Sequence, residues 1–140
     1  MASFRFKRNA NSTPMLTIPK QTSAQILPGD MVTKDANGLA LLATAGSTVI
    51  AFCPYGGTTG QTTVMVVADQ DAEFYGTAAT ALVAGHRWAS CDLAGSAGAL
   101  TIAAGTSAVG VLRISGETSN VLGNTADTIV KIAKGFHLYA

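Results

Sequence analysis

Cys91 and His86 come nearest to a catalytic pair in this chain, a thiol that an imidazole could deprotonate. Their spacing matches no nucleophile motif, and only folding would bring them together. A cysteine hydrolase built on them requires a reactive thiol. Cys53 and Cys91 are lone cysteines without Cys-x-x-Cys spacing, so they read as buried reduced thiols of a protein made in a reducing cytoplasm. Asp69, Asp71 and Glu73 alternate, which in a strand turns all three to one side, where they could hold a hard cation. The plainer reading is a solvated strand end, and no EF-hand loop is present. His86 and His137 have no partner at metal-ligand spacing. Gly56-Gly57-Thr58-Thr59-Gly60 is glycine-rich, but it lacks the Lys-Ser/Thr of a phosphate loop and any following helix, so it reads as a loop tip. No Gly-x-Ser-x-Gly element occurs. Trp88, the single tryptophan, reads as a core anchor beside Leu93. The expectation is a protein that is not an enzyme and takes no cofactor or metal.

The composition points the same way. At 140 residues the chain is one domain that can bury a core without staples. Charged residues are 12%, about half the usual ~25%, while 48% are hydrophobic. So little charge implies a hydroxyl-rich surface and contact with partners. The net charge of +1 is uneven: Arg5, Lys7, Arg8 and Lys20 all precede the first acid, Asp30. That asymmetry suggests an arm that docks on an anionic surface. Four cations are too few for a nucleic-acid claim. No apolar stretch follows the N-terminal cations as a signal peptide requires, and none is long enough to span a bilayer.

The elements that must position these residues are short strands. Phe4 and Phe6 alternate with Arg5 and Lys7, the period of an extended segment. Residues 9–14 form a joint, and residues 15–18 are strand-like up to Pro19. Residues 1–22 thus read as an extended N-terminal arm and residues 23–140 as the body. Two roles stay open for the arm: an edge strand of its own domain, or a strand added to a neighbouring subunit. In the body, Asp35-Ala36-Asn37-Gly38 signals a hairpin turn. Residues 62–76 open as a buried strand and emerge at a sheet edge. Residues 77–84 are the one helix candidate, of one or two turns at most. Strands follow near residues 88–93, 100–104, 109–114, 128–132 and 136–139. Short strands between glycine turns predict an all-β fold, a small β-barrel or β-sandwich. Missing crossover helices exclude a parallel βαβ architecture.

One run is more specific. Val67-Ala-Asp-Gln-Asp-Ala-Glu-Phe-Tyr-Gly76 is followed by Gly85, Cys91-Asp-Leu93, the hairpin from Gly95 to Ile102, and Val111-Leu-Arg-Ile-Ser-Gly116. A polar loop with Asn124 then leads to Thr128-Ile-Val-Lys-Ile132. Residues 62–133 resemble the small head decoration, or cement, proteins of tailed bacteriophages, with their Leu-Arg-Ile-x-Gly strand, polar Asn-containing loop and final Val-x-Ile strand. The resemblance implies a β-barrel or sandwich on the outer surface of the capsid, binding across joints between major capsid protein subunits. It implies a homotrimer in the virion, with no chemistry, no membrane and no direct nucleic-acid contact. The arm, which lies outside the resemblance, supplies the candidate capsid contacts. Phe4 and Phe6 would pack between shell subunits, and Arg5, Lys7 and Arg8 would meet carboxylates there. The alternative is a head-fibre base or a receptor- or glycan-binding virion module, with Tyr55, Trp88 and Tyr139 as a stacking platform.

Overall fold

Apolar side chains at alternate positions, punctuated by glycine turns, produce eleven short strands among the described residues. The computed structural model describes residues 4–8, 14–123 and 125–139. In chain order the strands are β1 (Phe4–Arg8), β2 (Met15–Pro19), β3 (Asp30–Lys34), β4 (Ala40–Leu42), β5 (Ala51–Cys53), β6 (Thr63–Val67), β7 (Glu73–Gly76), β8 (Ser90–Ser96), β9 (Ala99–Ala103), β10 (Leu112–Ile114) and β11 (Thr128–Ile132). They form a six-stranded sheet in the order β1-β7-β11-β10-β8-β9, a three-stranded sheet β4-β3-β5 and a two-stranded ribbon β2-β6. The fold is all-β, and the sheets stay open rather than closing into a barrel. All ladders named here are antiparallel.

The three-stranded sheet is covered on both faces. Met31 and Phe52, opposite each other in register, belong to the core shared with the six-stranded sheet. Val32 and Ala51, the next pair, belong to a second core with Val64 and Val66 of the ribbon. This explains why all three residues of β5 are buried: a strand between two apolar layers has no polar side.

The N-terminal segment takes the first of the two roles open to it. β1 is the edge strand of its own domain, paired to β7 with Phe4 opposite Gly76 and Phe6 opposite Phe74. The ring of Phe4 is buried where a side chain at position 76 would have to be, so Gly76 makes its room. Phe6 lies 6.2 Å from Phe52 and 6.0 Å from Phe74, centroid to centroid. β2 pairs with β6 from Met15–Val67 to Pro19–Thr63. The described parts of residues 1–22 are therefore built into the body, because two phenylalanines gain more by joining a core than by staying in water. Lys20 follows the same logic. It is buried, and its Nζ donates to the carbonyls of Gln21 (2.7 Å) and Gln61 (3.4 Å) instead of facing an anionic partner.

Two local readings are corrected. Residues 77–83 are not helical, and Ala84 only opens a 3-10 turn. The Ile102 N–H donates to the Thr77 carbonyl and the Ala79 N–H to the Ile102 carbonyl, so this segment runs along the edge of β9. Alanine preference is weak beside ready backbone partners, and so short a helix nucleates poorly. The only helical turn among the described residues is a 3-10 turn, Ala84–His86. Residues 62–76 are not one strand but two, β6 in the ribbon and β7 in the large sheet. Asp69 makes the turn between them, its Oδ1 accepting the Asp71 N–H at 2.9 Å. The hairpin at Asp35 forms as expected: Asp35 Oδ1 accepts the N–H groups of Asn37 and Leu39, and Gly38 holds a φ of 79°.

Asp92 is the polar pin of the large sheet. Its carboxylate is buried and accepts three consecutive N–H groups, from Ala108 (2.9 Å), Val109 (2.9 Å) and Gly110 (2.7 Å). The Gly110 bond, followed by those from Val109 and Ala108, holds its pKa below the ordinary aspartate value against the opposing effect of burial.

Two predictions follow from these contacts. Phe4→Ala is expected to lose about 3–5 kcal/mol in urea unfolding, the usual cost of truncating a buried phenylalanine; an unchanged midpoint would show that β1 is no part of the fold. Asp92→Asn is expected to lose about 1–3 kcal/mol at neutral pH. Because the folded-state value is depressed, this stabilisation is full above ~pH 4 and is lost as pH falls through the folded value. The gap between wild type and variant should therefore narrow in acid, and a pH-independent gap would contradict the assignment.

Candidate interaction groove around Trp88

The outer face of the six-stranded sheet carries the polar members of its alternating strands. Arg113 of β10 and Lys131 of β11 sit directly opposite in register. Glu73 opens β7, and Asp71 lies in the turn before it. Asp71 Oδ1 is 3.6 Å from Lys131 Nζ, and Glu73 Oε1 is 3.3 Å from Lys7 Nζ. Among the described residues no carboxylate closes on Arg113, which is exposed.

Trp88 stands over this face. It does not anchor the core beside Leu93: its side chain is 56% exposed. The backbone explains the position. Trp88 has a φ of 61°, in the left-handed region that a bulky residue adopts at a cost of roughly 1–3 kcal/mol. Its N–H donates to the Ile114 carbonyl (3.1 Å), while the Ile114 N–H donates to Ala89 (3.0 Å). These two bonds fix the kink between the 3-10 turn and β8 and turn the indole outward. The ring then lies flat against Gly116, where any Cβ would run into it. Asn120 holds the loop that carries Gly116. This buried amide donates to the carbonyls of Ser115 (2.8 Å) and Ile129 (3.2 Å) and accepts the Ile129 N–H (2.9 Å).

Two connected hollows result. One, of about 240 Å3, is lined by Glu73, Ser115 and Glu117 together with Trp88, Arg113 and Lys131. The other, of about 390 Å3, has the same Trp88, Arg113 and Lys131 and adds Lys134 and His137. His137 is buried, which pushes its imidazole below the ordinary histidine value, and a hydrogen bond with the Gln70 backbone pulls the other way. Tyr139, its ring tilted against that of His137 with centroids 5.4 Å apart, has its phenol pushed up to about 12, first by burial and then by Asp69 and Asp71.

The other candidate residues are placed as follows. Phe4 is in the core and Phe6 packs against it. Arg5 lies over the Tyr75 ring at 4.4 Å from its centroid and pairs with Asp127. Lys7 is held by Glu73. For Arg8 only the backbone pairing with Glu73 is described. Phe4, Arg5, Phe6 and Lys7 are thus engaged within their own chain. Tyr55 (71% exposed), Trp88 and Tyr139 line three separate hollows and form no common platform. Asp69, Asp71 and Glu73 do not share a strand face: Asp69 and Glu73 are buried, Asp71 is exposed, and no group of metal-ligating residues occurs among the described residues. Asn124 lies outside the described residues. Cys91 is fully buried in the main core, and burial pushes its thiol up to about 12. His86 directs its Nδ1 to the Val83 N–H (3.2 Å).

Sequence reasoning missed Arg113, Glu117 and Lys131 as a group. Alternation in the strands does show that Arg113 and Lys131 face outward, but not that they are neighbours. Asn120 left no signal beyond being an asparagine in a polar loop. No family model, no curated protein and no solved structure matches the chain. No helix among the described residues is long and apolar enough to cross a membrane.

Both cysteines are free and buried. A thiol-alkylating reagent is expected to leave Cys53 and Cys91 unmodified in the native protein and to label both in urea, as read by mass spectrometry. Rapid native labelling of Cys91 would mean an accessible thiolate and reopen a cysteine-based activity.

Proposed function

We propose that this chain is a head decoration, or cement, protein of a tailed bacteriophage. It is made in the host cytoplasm and binds the outer capsid surface across joints between major capsid protein subunits. It assembles there as a homotrimer and stabilises the shell. Binding to the assembled shell alone shifts the equilibrium toward it by mass action. The resemblance of residues 62–133 supplies the family.

The observation that best supports a binding role is the free edge of β2. This strand pairs with β6 on one side, and among the described residues no strand covers its other side along residues 15–18. Leu16 of this ribbon is 42% exposed and Met65 is 40% exposed. Beside it lies an apolar pocket of about 260 Å3 lined by Phe6, Met15, Pro54, Tyr55 and Val67. An open edge beside a side-chain pocket is the arrangement that accepts an added strand from a partner. In this reading β2, not β1, is the part of the N-terminal segment that meets the shell. Phe6 reaches the contact only as one wall of the pocket.

Leu16→Lys puts a charge on that edge with little effect on the core. The variant is expected to bind heads lacking the protein at least tenfold more weakly than wild type, with an unchanged thermal midpoint. On a virion gel the protein should approach the major capsid protein in abundance. Undiminished attachment of the variant would refute the edge assignment. Scarcity on the virion would favour a head-fibre base.

A further inference from the structure

We propose that the groove around Trp88 binds a saccharide bearing a carboxylate, such as a uronic or sialic acid unit in a glycan chain. This inference does not depend on the capsid reading. Two features of the groove work against stability. A tryptophan is held at a positive φ and left largely exposed, although glycine would fit that backbone without strain. Two cations, Arg113 and Lys131, sit directly opposite on neighbouring strands, where like charges repel. Local strain and charge conflict gathered at one concave place are the mark of a binding site.

The chemistry of the lining selects the ligand. An indole fixed flat against Gly116 offers a rigid apolar face, suited to the C–H face of a sugar ring. Lys131 is partly neutralised by Asp71, and Glu73 is matched by Lys7. Among the described residues, Arg113 and, in the larger hollow, Lys134 have no carboxylate in an ion pair, and of the described residues lining the larger hollow Asp71 alone is a carboxylate, whereas Asp71, Glu73 and Glu117 line the smaller one. A guanidinium without a carboxylate partner recognises one through two parallel hydrogen bonds. Ser115 and Glu117 line the smaller hollow and supply hydroxyl and carboxylate oxygens for sugar hydroxyls. The larger hollow, of about 390 Å3, falls within the size range of small-ligand sites, roughly 300–1,000 Å3, and the smaller one, of about 240 Å3, adjoins it through the shared Trp88, Arg113 and Lys131.

Trp88 is the single tryptophan, so emission excited selectively at tryptophan rather than tyrosine reports on this groove. The full-length protein is to be screened on a glycan array carrying uronate-containing, sialylated and neutral oligosaccharides. It is then titrated in solution with oligogalacturonate, sialyllactose and lactose. The expected result is saturable quenching or a blue shift with a carboxylated saccharide, and at least tenfold weaker binding of its neutral counterpart. Trp88→Ala, followed by calorimetry, and Arg113→Ala should each weaken binding at least tenfold. Gly116→Ala should do the same while keeping the tryptophan, because its methyl group displaces the indole. Trp88→Gly should bind no saccharide yet melt within a few degrees of wild type, which separates loss of the site from loss of the fold. Absence of binding by every carboxylated saccharide overturns the proposal. So does equal binding of the neutral sugars, or binding that survives Trp88→Gly and Gly116→Ala, the sign of a diffuse electrostatic contact.

Discussion

The approach of Phe52 to Phe74, with centroids 4.6 Å apart, is the contact on which the architecture depends. It joins the three-stranded sheet to the six-stranded one. The three-stranded sheet is apolar on both faces and has to be covered twice, once by the large sheet and once by the ribbon. That requirement draws the N-terminal segment into the body. Phe6 closes the side of the aromatic cluster, and Phe4 fills the space over Gly76. The cations that alternate with them, Arg5 and Lys7, turn to the other face and find carboxylates there, Asp127 for Arg5 and Glu73 for Lys7. A basic tail becomes an edge strand because its phenylalanines are buried, and the charges follow the alternation.

The same burial leaves the outer face of the large sheet as the place where local rules are broken. At several other places the chain obeys them. Glycine holds the positive φ at positions such as Gly38, aspartate caps turns at Asp35 and Asp69, and the buried Asp92 has three N–H partners. Around Trp88 a bulky residue occupies a backbone conformation better suited to glycine, and two cations oppose each other. Asn120 and Gly116 keep this arrangement rigid from beneath, so the groove is held in shape by satisfied hydrogen bonds and a missing side chain.

The free edge of β2 and the groove are separate surfaces: the pocket beside β2 and the two hollows at Trp88 share no lining residue. One offers backbone hydrogen bonds and apolar contact to a protein strand. The other offers an aromatic face and a guanidinium to a small polar ligand. A protein with both can be attached on one side and still present a site on another.

Sequence by itself determined the all-β class, the hairpin at Asp35, the closing strand β11 and the burial of both thiols. These rest on local signals: side-chain alternation, a turn that needs a positive φ, and lone cysteines without Cys-x-x-Cys spacing. Tertiary structure decided what local signals do not encode. It laid residues 77–79 along β9, which offered backbone partners, in place of a helix. It divided residues 62–76 between two sheets through the turn at Asp69. It seated β1 at its own edge rather than a neighbour's. It also brought Trp88, Arg113, Glu117 and Lys131 together, because strand register and one strained backbone angle, not sequence spacing, set the distances between them.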